Sequence, residues 1–420
     1  MGFITASQAA EIWHLSQRRV QILCSEGRIP GVFKLGENWA IPDSAVKPED
    51  GRVKNKAKSL NVIDLFCGCG GFSEGFAEAG YNVRFGIDIW RDATVTYQHN
   101  FPQAAVLNED ITKINGRDIL IAANMKADEV DVIIGGPPCQ GFSVSGKRTI
   151  DDERNKLYKS YVQIVSELKP KVFVMENVPG LIRLFKGKVG EQIIEDFTNI
   201  GYNVQKQILS ADNYGVPQVR KRVLFVGVRD DLVENGIVYS YPIAYMGAGT
   251  DTPAWTTKDA ISDLDFVPDD RVIGEDIPYQ IAPQNNYQLA MRKGSRSVLN
   301  HSVTLHNLRT KEIIAMVPDG GDYRDLPEEL RSTRKVHIAW TRMNSKKPCF
   351  TIDTGHNHHF HYKENRVPTV RESARIQSFP DNFKFIGIKT SQLKQVGNAV
   401  PPLLAKAVGD SISKMLKGEM

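Results

Sequence analysis

A cysteine behind two consecutive prolines is the strongest candidate for a nucleophile in this sequence. It is Cys139 in GGPPCQGFSVSG, residues 135–146, which follows the apolar run VDVII. The prolines restrict the backbone, and a loop that leaves a buried strand keeps its side chains partly accessible, as a reacting thiol requires. A lone cysteine is more often inert, so the alternative is a structural thiol. The flanking prolines and polar residues favour the nucleophile.

A glutamate and two arginines could hold a planar base beside that cysteine. Glu176 ends the apolar run VFVM within MENVPG, where a poorly solvated carboxyl group can protonate or hydrogen-bond a base. Arg220 and Arg222 alternate at the entry of the run RVLFVGV, so we expect both to point to one side. Forked cationic donors there would suit a carbonyl oxygen and a phosphate. The alternatives are a glutamate that caps loop amides and arginines at a solvated strand end.

Glycines and acidic residues indicate a site for an adenosine-containing cofactor. The segment DLFCGCGGF, residues 64–72, runs from a strand into a glycine-rich turn, where backbone amides can approach a ligand. Asp88 follows about twenty residues later, the placement expected for an acid that binds ribose hydroxyls. Asp110 could accept a hydrogen bond from an adenine amino group. Glycine also serves ordinary tight turns, and the absence of a lysine after these glycines disfavours a nucleoside triphosphate.

The spacing of apolar runs predicts how these residues are brought together. The runs NVIDLF, VRFGID, VDVIIGG, KVFVMEN and RVLFVGV alternate with longer segments of helical character. Strands separated by helices predict a doubly wound, mostly parallel α/β sheet that is covered on both faces. Ligands collect at the carboxyl ends of such strands. We therefore expect one site that contains the glycine turn, Asp88, Asp110, Cys139 and Glu176.

Residues 1–48 are predicted to form a separate unit. Thr5 and Gln8 form a capping box that opens one helix, Ser16 can cap a second, and VFKLGENWAIP has the pattern of a β-hairpin wing. The unit resembles the winged helix-turn-helix domains of the excisionase and MerR-like class. In that class the exposed face of the second helix contacts the major groove, and the residues on this face would be Arg18, Arg19 and Gln21. The alternative is a protein-interaction module that reads no bases.

The whole chain has 420 residues, five cysteines and a formal net charge of +4. This length predicts two or three compact units. Besides the first unit we expect a basic linker at 49–59, a cofactor-binding domain at 60–230, a smaller irregular domain at 231–385 and a C-terminal helix at 386–420. Few, scattered cysteines argue against disulfides and zinc. No signal peptide or bilayer-spanning apolar stretch is present, so we expect a cytoplasmic protein without a membrane partner.

Six segments in a fixed order resemble the cytosine-5 DNA methyltransferase family. They are DLFCGCGG, GGPPCQGFS, MENV, PQVRKRVLFVG, RESARIQSFPD and VGNAVPP, and the resemblance covers residues 61–416. It implies a Rossmann-like enzyme that transfers a methyl group from S-adenosylmethionine to carbon 5 of a cytosine flipped out of double-stranded DNA. S-adenosylhomocysteine would be the product and no metal would be needed. It further implies a target-recognition domain at 231–385 and a prokaryotic, nucleoid-associated modification methylase, expected to be a monomer, with a restriction endonuclease encoded nearby as a possible partner.

The resemblance also assigns roles residue by residue. Cys139 looks like the nucleophile that adds to carbon 6, and Glu176 would hold ring nitrogen 3 and the exocyclic amine. Arg222 would grip the 2-oxo group, with Arg220 close by. Cofactor-binding residues would be Asp64, Phe66, Gly68, Gly70, Gly71, Asp88, Ile89, Asp110, Ile111, Pro138, Leu157, Asn398 and Ala399.

Some features depart from the family pattern or allow another interpretation. Asp88 stands where glutamate is commoner, and Ile89 where many relatives have an aromatic or polar residue. The run GHNHHFHY, residues 355–362, lacks acidic or cysteine partners at fixed spacing, so we interpret it as a DNA-facing loop more than a zinc site. A transfer-RNA cytosine methyltransferase would share the catalytic segments, but the long recognition region and the added first unit favour DNA. A DNA-binding regulator is disfavoured by the intact Cys139, Glu176 and Arg222.

Overall fold

The computed structural model describes residues 2–13, 15–29, 31–36, 38–43, 45–47, 59–138, 156–265, 276–332, 340–354 and 359–418. Cys139 and most of the expected linker therefore lie outside the described residues. Contacts within the chain divide it into two compact units, Met1–Ser59 and Leu60–Met420. None of the described helices is long and apolar enough to cross a membrane.

The smaller unit contains two helices and a three-stranded antiparallel sheet. Its elements are β1 (Phe3–Thr5), α1 (Ala6–Trp13), α2 (Gln17–Ser25), β2 (Phe33–Leu35) and β3 (Asn38–Pro42), with the strand order β1-β3-β2. Both expected caps are present, since Thr5 N donates to Gln8 Oε1 at 2.8 Å and Arg19 N donates to Ser16 Oγ at 3.2 Å. The two helices and the hairpin agree with the prediction, whereas the sequence pattern does not predict β1.

A seven-stranded mixed sheet forms the centre of the larger unit. Its strands are β4 (Asn61–Leu65), β5 (Asn82–Ile87), β6 (Ala105–Leu107), β7 (Val132–Gly135), β8 (Val172–Asn177), β9 (Tyr202–Ser210) and β10 (Lys221–Arg229), in the order β6-β5-β4-β7-β8-β10-β9. The first five strands in that order are parallel, and β10 is antiparallel to β8 and β9. The prediction of a mostly parallel sheet is confirmed, with an antiparallel pair at one edge.

Helices alternate with these strands along the chain. They are α3 (Gly71–Glu78), α4 (Arg91–Asn100), α5 (Gly116–Ala123), α6 (Lys156–Leu168), α7 (Lys188–Thr198) and α8 (Asp230–Glu234), with 3-10 turns at Ile111–Lys113, Ala127–Glu129, Leu181–Gly187 and Ala211–Tyr214. Successive strand residues belong to different cores: Val62 packs in a core that includes Phe76 of α3, and Ile63 in one that includes Ile164 of α6. This alternation is what a sheet buried on both faces requires.

Residues 235–388 contain only short elements in their described parts. They are α9 (Thr257–Ile261), α10 (Asn286–Met291), α11 (Leu308–Met316), α12 (Glu328–Arg331), β11 (Thr341–Arg342), β12 (His359–Phe360) and α13 (Val370–Ile376), with 3-10 turns at Ser262–Leu264 and Tyr323–Asp325. The C-terminal segment forms α14 (Lys389–Asn398) and α15 (Pro402–Lys417), the latter opening with a proline, which a first helical turn tolerates. Leu404 and Val408 of α15 share a core with α3.

The direction of β10 decides which of its ends meets the carboxyl ends of the parallel strands. Because β10 runs opposite to β8, its first residues lie beside the last residues of β8, and Val223 pairs with Asn177. Arg222 at the start of β10 therefore reaches the same sheet edge as Glu176 near the end of β8. In a parallel strand the same arginine would lie at the opposite edge.

Candidate active site

The carboxyl ends of the parallel strands open into a cavity of about 960 Å³. The predicted site residues that line it are Asp64, Phe66, Gly68, Gly71, Asp88, Ile89, Asp110, Ile111, Pro138, Leu157, Glu176, Arg220, Arg222, Asn398 and Ala399. Gly70 is not among the lining residues, and Cys139 lies outside the described residues. Pro138, the residue before Cys139, does line the cavity.

The glycine-rich turn after β4 has a backbone that favours residues without a side chain. Gly68 and Gly70 have φ angles of 52° and 102°, and Phe66 also lies in the left-handed region at 61°. A Cβ atom on Gly70 would lie 2.5 Å from the Phe101 ring, and one on Gly71 would lie 2.4 Å from a backbone oxygen of the GNAVPP segment. Packing therefore requires these two glycines. Gly68 instead faces open space, which leaves room for a ligand.

Asp88 fixes the glycine turn and faces the cavity at the same time. Gly68 N donates to Asp88 Oδ2 at 2.9 Å, and Trp90 N donates to Asp88 Oδ1 at 2.8 Å. Burial raises the pKa of Asp88, while these backbone amides act in the opposite direction. Each carboxylate oxygen keeps a lone pair beyond these bonds, so Asp88 can also accept hydrogen bonds from ligand hydroxyls.

Asp110 follows β6 and is half-buried at the cavity wall. Thr112 donates to Asp110 Oδ1 from its backbone N at 3.0 Å and from its Oγ1 at 2.8 Å. These bonds hold the pKa of Asp110 below its usual value. The side chain is therefore an ionised acceptor with a fixed orientation, as contact with an amino group requires.

Asp64 is the buried acid of the site and has an unsatisfied oxygen. Its side chain is 1% exposed, and Ser73 Oγ donates to Asp64 Oδ2 at 2.7 Å. Asp64 Oδ1 has no hydrogen-bond partner among the described residues, and burial raises the pKa of Asp64 to about 8. A buried acceptor beside a cavity calls for a donor from a ligand. The ammonium group of S-adenosylmethionine fits this requirement.

Glu176 and Arg222 form an ion pair in the cavity wall. Arg222 Nε donates to Glu176 Oε1 at 2.6 Å, and each side chain is 13% exposed. Asn177 Nδ2 donates to Pro137 O at 2.8 Å, which ties the end of β8 to the segment that leads to Cys139. A carboxyl group and a forked cation are therefore held side by side next to the expected nucleophile loop, an arrangement that suits the polar edge of a planar base.

Arg220 has a different environment from Arg222, although both line the cavity. Arg220 is 2% exposed and donates to Ile352 O at 3.2 Å and to Gly397 O at 2.8 Å. Burial lowers its pKa to about 9. Arg220 precedes β10 and bonds to backbone carbonyls, whereas Arg222 lies within β10 and pairs with Glu176. Arg220 joins three segments of the site wall.

Two further lining residues are not singled out by the sequence patterns. Lys394 Nζ lies 4.8 Å from the ring centroid of Trp90, and both residues line the cavity. Lys394 precedes Asn398 by one turn of α14, and this spacing is a signal that could have found it. Trp90 directly follows Ile89, whose side chain is 71% exposed.

The described part of the histidine-rich run, residues 359–362, is buried and so differs from its interpretation as a DNA-facing loop. His359 and His361 are 6% and 0% exposed, whereas His356 and His358 lie outside the described residues. Burial lowers the pKa of His361 to about 3, so this side chain is neutral at physiological pH. The described residues contain no group of three or more side chains placed to hold a metal ion.

The mixed sheet, its glycine turn and the acids at its strand ends define an S-adenosylmethionine-dependent methyltransferase. The C-5 cytosine-specific DNA methylase family matches residues 60–414, and the chain belongs to this family.

Curated relatives and solved structures agree with this assignment. The chain is 39% identical over 364 residues to Type II methyltransferase M1.HphI of Haemophilus parahaemolyticus, covering 86% of this chain and 88% of the relative. It is 41% identical over 379 residues to Type II methyltransferase M.DdeI of Desulfomicrobium norvegicum, covering 84% and 88%. A protein described as a DNA modification methyltransferase encoded within an E. coli prophage superposes with a TM-score of 0.70 at 28% identity, covering 86% and 100%. The chain is a DNA cytosine-5 methyltransferase.

Proposed function

We propose that this enzyme methylates carbon 5 of one cytosine within a specific duplex sequence, as the modification enzyme of a restriction system. The Glu176–Arg222 pair carries the proposal, because it lines the same cavity as Pro138, the residue before Cys139. Such a pair offers a carboxyl group and a forked donor to the polar edge of a cytosine. The target base is stacked inside a duplex, so it must be flipped outward to reach this cavity.

In the proposed reaction, the chain activates a carbon atom that is a poor nucleophile. The Cys139 thiolate adds to carbon 6 of the ring and makes carbon 5 electron-rich enough to accept a methyl group. A base then removes the carbon 5 proton, and elimination of the thiolate restores the ring and frees Cys139. Glu176 holds ring nitrogen 3 and the exocyclic amine, while Arg222 holds the 2-oxo group. Arg220 acts as a positioning residue, through its bonds to the Ile352 and Gly397 carbonyls. S-adenosylmethionine, when bound, supplies the electrophilic methyl group.

The cofactor roles proposed for the lining residues follow their chemistry. Asp88 accepts from the ribose hydroxyls, Asp110 from the adenine amino group, and Asp64 from the methionine ammonium group. Phe66 packs against the adenine. The remaining contacts come from Gly68, Ile89, Ile111, Pro138, Leu157, Asn398 and Ala399, all of which line the cavity.

Replacing the nucleophile tests the reaction scheme. We expect Cys139→Ala to abolish methyl transfer while the affinity for S-adenosylhomocysteine, measured by calorimetry, stays within about twofold. The matched control is Cys349→Ala, since Cys349 is a buried thiol that does not itself line the cavity. Methylation by the Cys139→Ala variant would overturn the covalent scheme. Bisulfite sequencing of host DNA with and without the gene, and labelled-cofactor assays on matched DNA and RNA, would identify the target and separate the transfer-RNA alternative.

We further propose that the smaller unit and residues 231–385 contact DNA. Arg18 and Gln21 are exposed on α2, and Arg19 is half-buried, as expected for a helix that presents one face to the major groove. In the full-length protein, Arg18→Ala with Gln21→Ala should weaken DNA binding in a gel shift and leave S-adenosylhomocysteine affinity unchanged. Unchanged DNA affinity, including that for the promoter of its own operon, would remove the proposed role of this unit.

A further inference from the structure

The charged side chains that line the cavity differ in whether they already have a partner within the protein. The described lining acids are Asp64, Asp88, Glu109, Asp110, Glu176 and Asp353, and the described lining cations are Arg220, Arg222 and Lys394. Arg222 pairs with Glu176, and Arg220 donates to two backbone carbonyls. Lys394 is the one lining cation in the described part of the chain that is engaged by neither a carboxylate nor a carbonyl. It is therefore available to a ligand.

The position of Lys394 is set by two elements. Its side chain leaves α14 one turn before Asn398, so both residues lie on the same helix face. Its ammonium group lies 4.8 Å from the ring centroid of Trp90, within the range of a cation–π contact. Trp90 is anchored in turn, because its backbone N donates to Asp88 Oδ1 at 2.8 Å. The charge of Lys394 is thus held at the wall between Asp88 and Asn398.

We propose that Lys394 binds the carboxylate of the cofactor's methionine part, with Trp90 as the residue that positions it. The methionine end carries an ammonium group and a carboxylate on the same carbon atom. The unsatisfied Oδ1 of buried Asp64 receives the ammonium group, which brings the carboxylate into a cavity wall rich in acids. A nearby cation is required to offset this repulsion. Lys394 supplies it, and the inference rests on the proposed function only in taking S-adenosylmethionine as the methyl donor.

The assignment divides cofactor recognition between a buried carboxyl group and an exposed ammonium group. Asp64 recognises the ammonium group and Lys394 the carboxylate, so each contact can be removed separately from the protein or from the ligand. An exposed ammonium group is screened by salt, whereas a buried carboxyl group is screened less. The Lys394 contact should therefore weaken as ionic strength rises, and the Asp64 contact should change little.

Calorimetry on the full-length protein with three ligands tests this division. S-adenosylhomocysteine has both charged groups, its decarboxylated analogue keeps only the ammonium group, and 5′-methylthioadenosine has neither. We expect Lys394→Met to weaken S-adenosylhomocysteine binding about tenfold and leave the other two affinities unchanged. Asp64→Asn should weaken the first two ligands and spare the third. Lys394→Arg should restore most of the loss, and Lys414→Met, which removes an exposed lysine of α15, should change nothing.

The outcomes separate this inference from the proposed function. If Lys394→Met weakens all three ligands equally, or none of them, Lys394 does not contact the carboxylate and the inference is wrong. If wild-type protein binds none of the three ligands, the choice of cofactor itself fails. Trp90→Leu adds a second readout: it should reduce S-adenosylhomocysteine affinity in wild-type protein but much less in Lys394→Met. Equal losses in both backgrounds would remove Trp90 from a positioning role.

Discussion

Two regions of the larger unit concentrate charged side chains and use them in opposite ways. At the cavity, Arg222 and Glu176 form an ion pair in which each side chain is 13% exposed and both residues line open space. In the segment RESARIQSFPD, Arg375 pairs with Asp381 and Asp263, and all three side chains are fully buried. The first pair can exchange its partner for a ligand. The second cannot, since no ligand reaches it.

Most charged groups of the buried region are held by internal contacts, although Arg366 Nε has no hydrogen-bond partner among the described residues. Arg366 donates to both carboxylate oxygens of Glu372 at 2.8 and 2.7 Å, and Thr369 N donates to the same carboxylate at 2.7 Å. The neighbouring Arg366 cation holds the pKa of Glu372 well below its usual range despite burial. Arg371 donates to the Pro380 carbonyl at 2.9 Å. These side chains hold irregular backbone together in a region that has few regular elements.

The contrast shows why a specific charged motif does not by itself identify chemistry. Both MENV and RESARIQSFPD are diagnostic of the family, yet one faces a cavity and the other forms a polar core. The two motifs differ in how far internal partners occupy their donors and acceptors. A functional side chain must keep a donor, an acceptor or a lone pair for the ligand. Variants in the two regions test this difference.

Removing the acid at the cavity should affect catalysis far more than folding. We expect Glu176→Gln to lower the single-turnover rate of methyl transfer by about 10²–10⁴-fold, because the amide cannot protonate the base. Thermal unfolding should shift by no more than about 2 °C, since Arg222 keeps access to solvent in the cavity. Rapid-quench kinetics and calorimetric melting measure the two effects. A rate within threefold of wild type would contradict the proposed role of Glu176.

Removing a cation from the buried region should instead affect folding far more than catalysis. Arg375→Met removes the cation that bonds both buried carboxylates, although Asp263 keeps Arg292 and Asp381 keeps the Tyr279 hydroxyl. We therefore expect a loss of about 3 kcal/mol in the free energy of unfolding, the lower end of the cost of breaking a buried ion pair. Arg222→Met is the matched control at the cavity and should cost less, because water in the open cavity can reach the carboxylate that remains. Urea denaturation measures both variants. Equal losses in the free energy of unfolding would show that the two regions do not differ as their burial indicates.

The sequence predicts the fold to the extent that local pattern determines it. Apolar runs separated by helical segments give the parallel strands β4, β5, β7 and β8, and caps such as Ser16 give helix starts. Strand direction at the sheet edge is not a local property, so β10 could not be identified as antiparallel from its own residues. The pattern also does not predict the edge strand β9, because its apolar and polar residues alternate only weakly and its middle side chains are exposed.

The sequence predicts the site residues that follow strands. It predicts less well those whose role depends on contacts between distant segments. Asp64, Asp88 and Glu176 reach one cavity as the strand-end rule predicts. The role of Arg220 depends on carbonyls more than a hundred positions away in the chain, which a pattern cannot reveal. The burial of His359 and His361 likewise follows from tertiary packing. Sequence composition alone suggested an exposed run.

Asp64 combines features of the two regions. It is buried like the polar core, yet its Oδ1 has no hydrogen-bond partner among the described residues. Folded Asp64 keeps its proton up to about pH 8, whereas an unfolded aspartate releases it near pH 4. The folded state therefore binds more protons between these values, and the stability that the protonated carboxyl group contributes is lost as pH rises through this window.

Asp64→Asn removes this pH dependence without changing the shape of the side chain. We expect the ligand-free variant to melt above wild type, with a difference that grows from pH 5 to pH 8 and then levels off. Ser73→Ala is the control, since it removes the 2.7 Å bond to Asp64 Oδ2 and should destabilise instead. Melting curves at pH 5, 6.5 and 8 would decide. A difference independent of pH would mean that Asp64 is ionised in the ligand-free protein.

Asn177 extends the comparison to adjacent residues, because both of its side-chain polar atoms bond within the protein while the neighbouring Glu176 faces the ligand. Its Nδ2 donates to Pro137 O at 2.8 Å, and its Oδ1 accepts from Val178 N at 2.9 Å. One lost hydrogen bond costs about 0.5–1.5 kcal/mol, so Asn177→Ala should slow methyl transfer by about 3- to 10-fold through misplacement of Cys139. Asn177→Asp keeps the acceptor for Val178 N but places a carboxylate against the Pro137 carbonyl, and should slow the reaction at least as much. Since both variants leave the cofactor side of the cavity untouched, S-adenosylhomocysteine affinity should not change. Full activity of Asn177→Asp would show that the bond to Pro137 has no part in positioning the nucleophile.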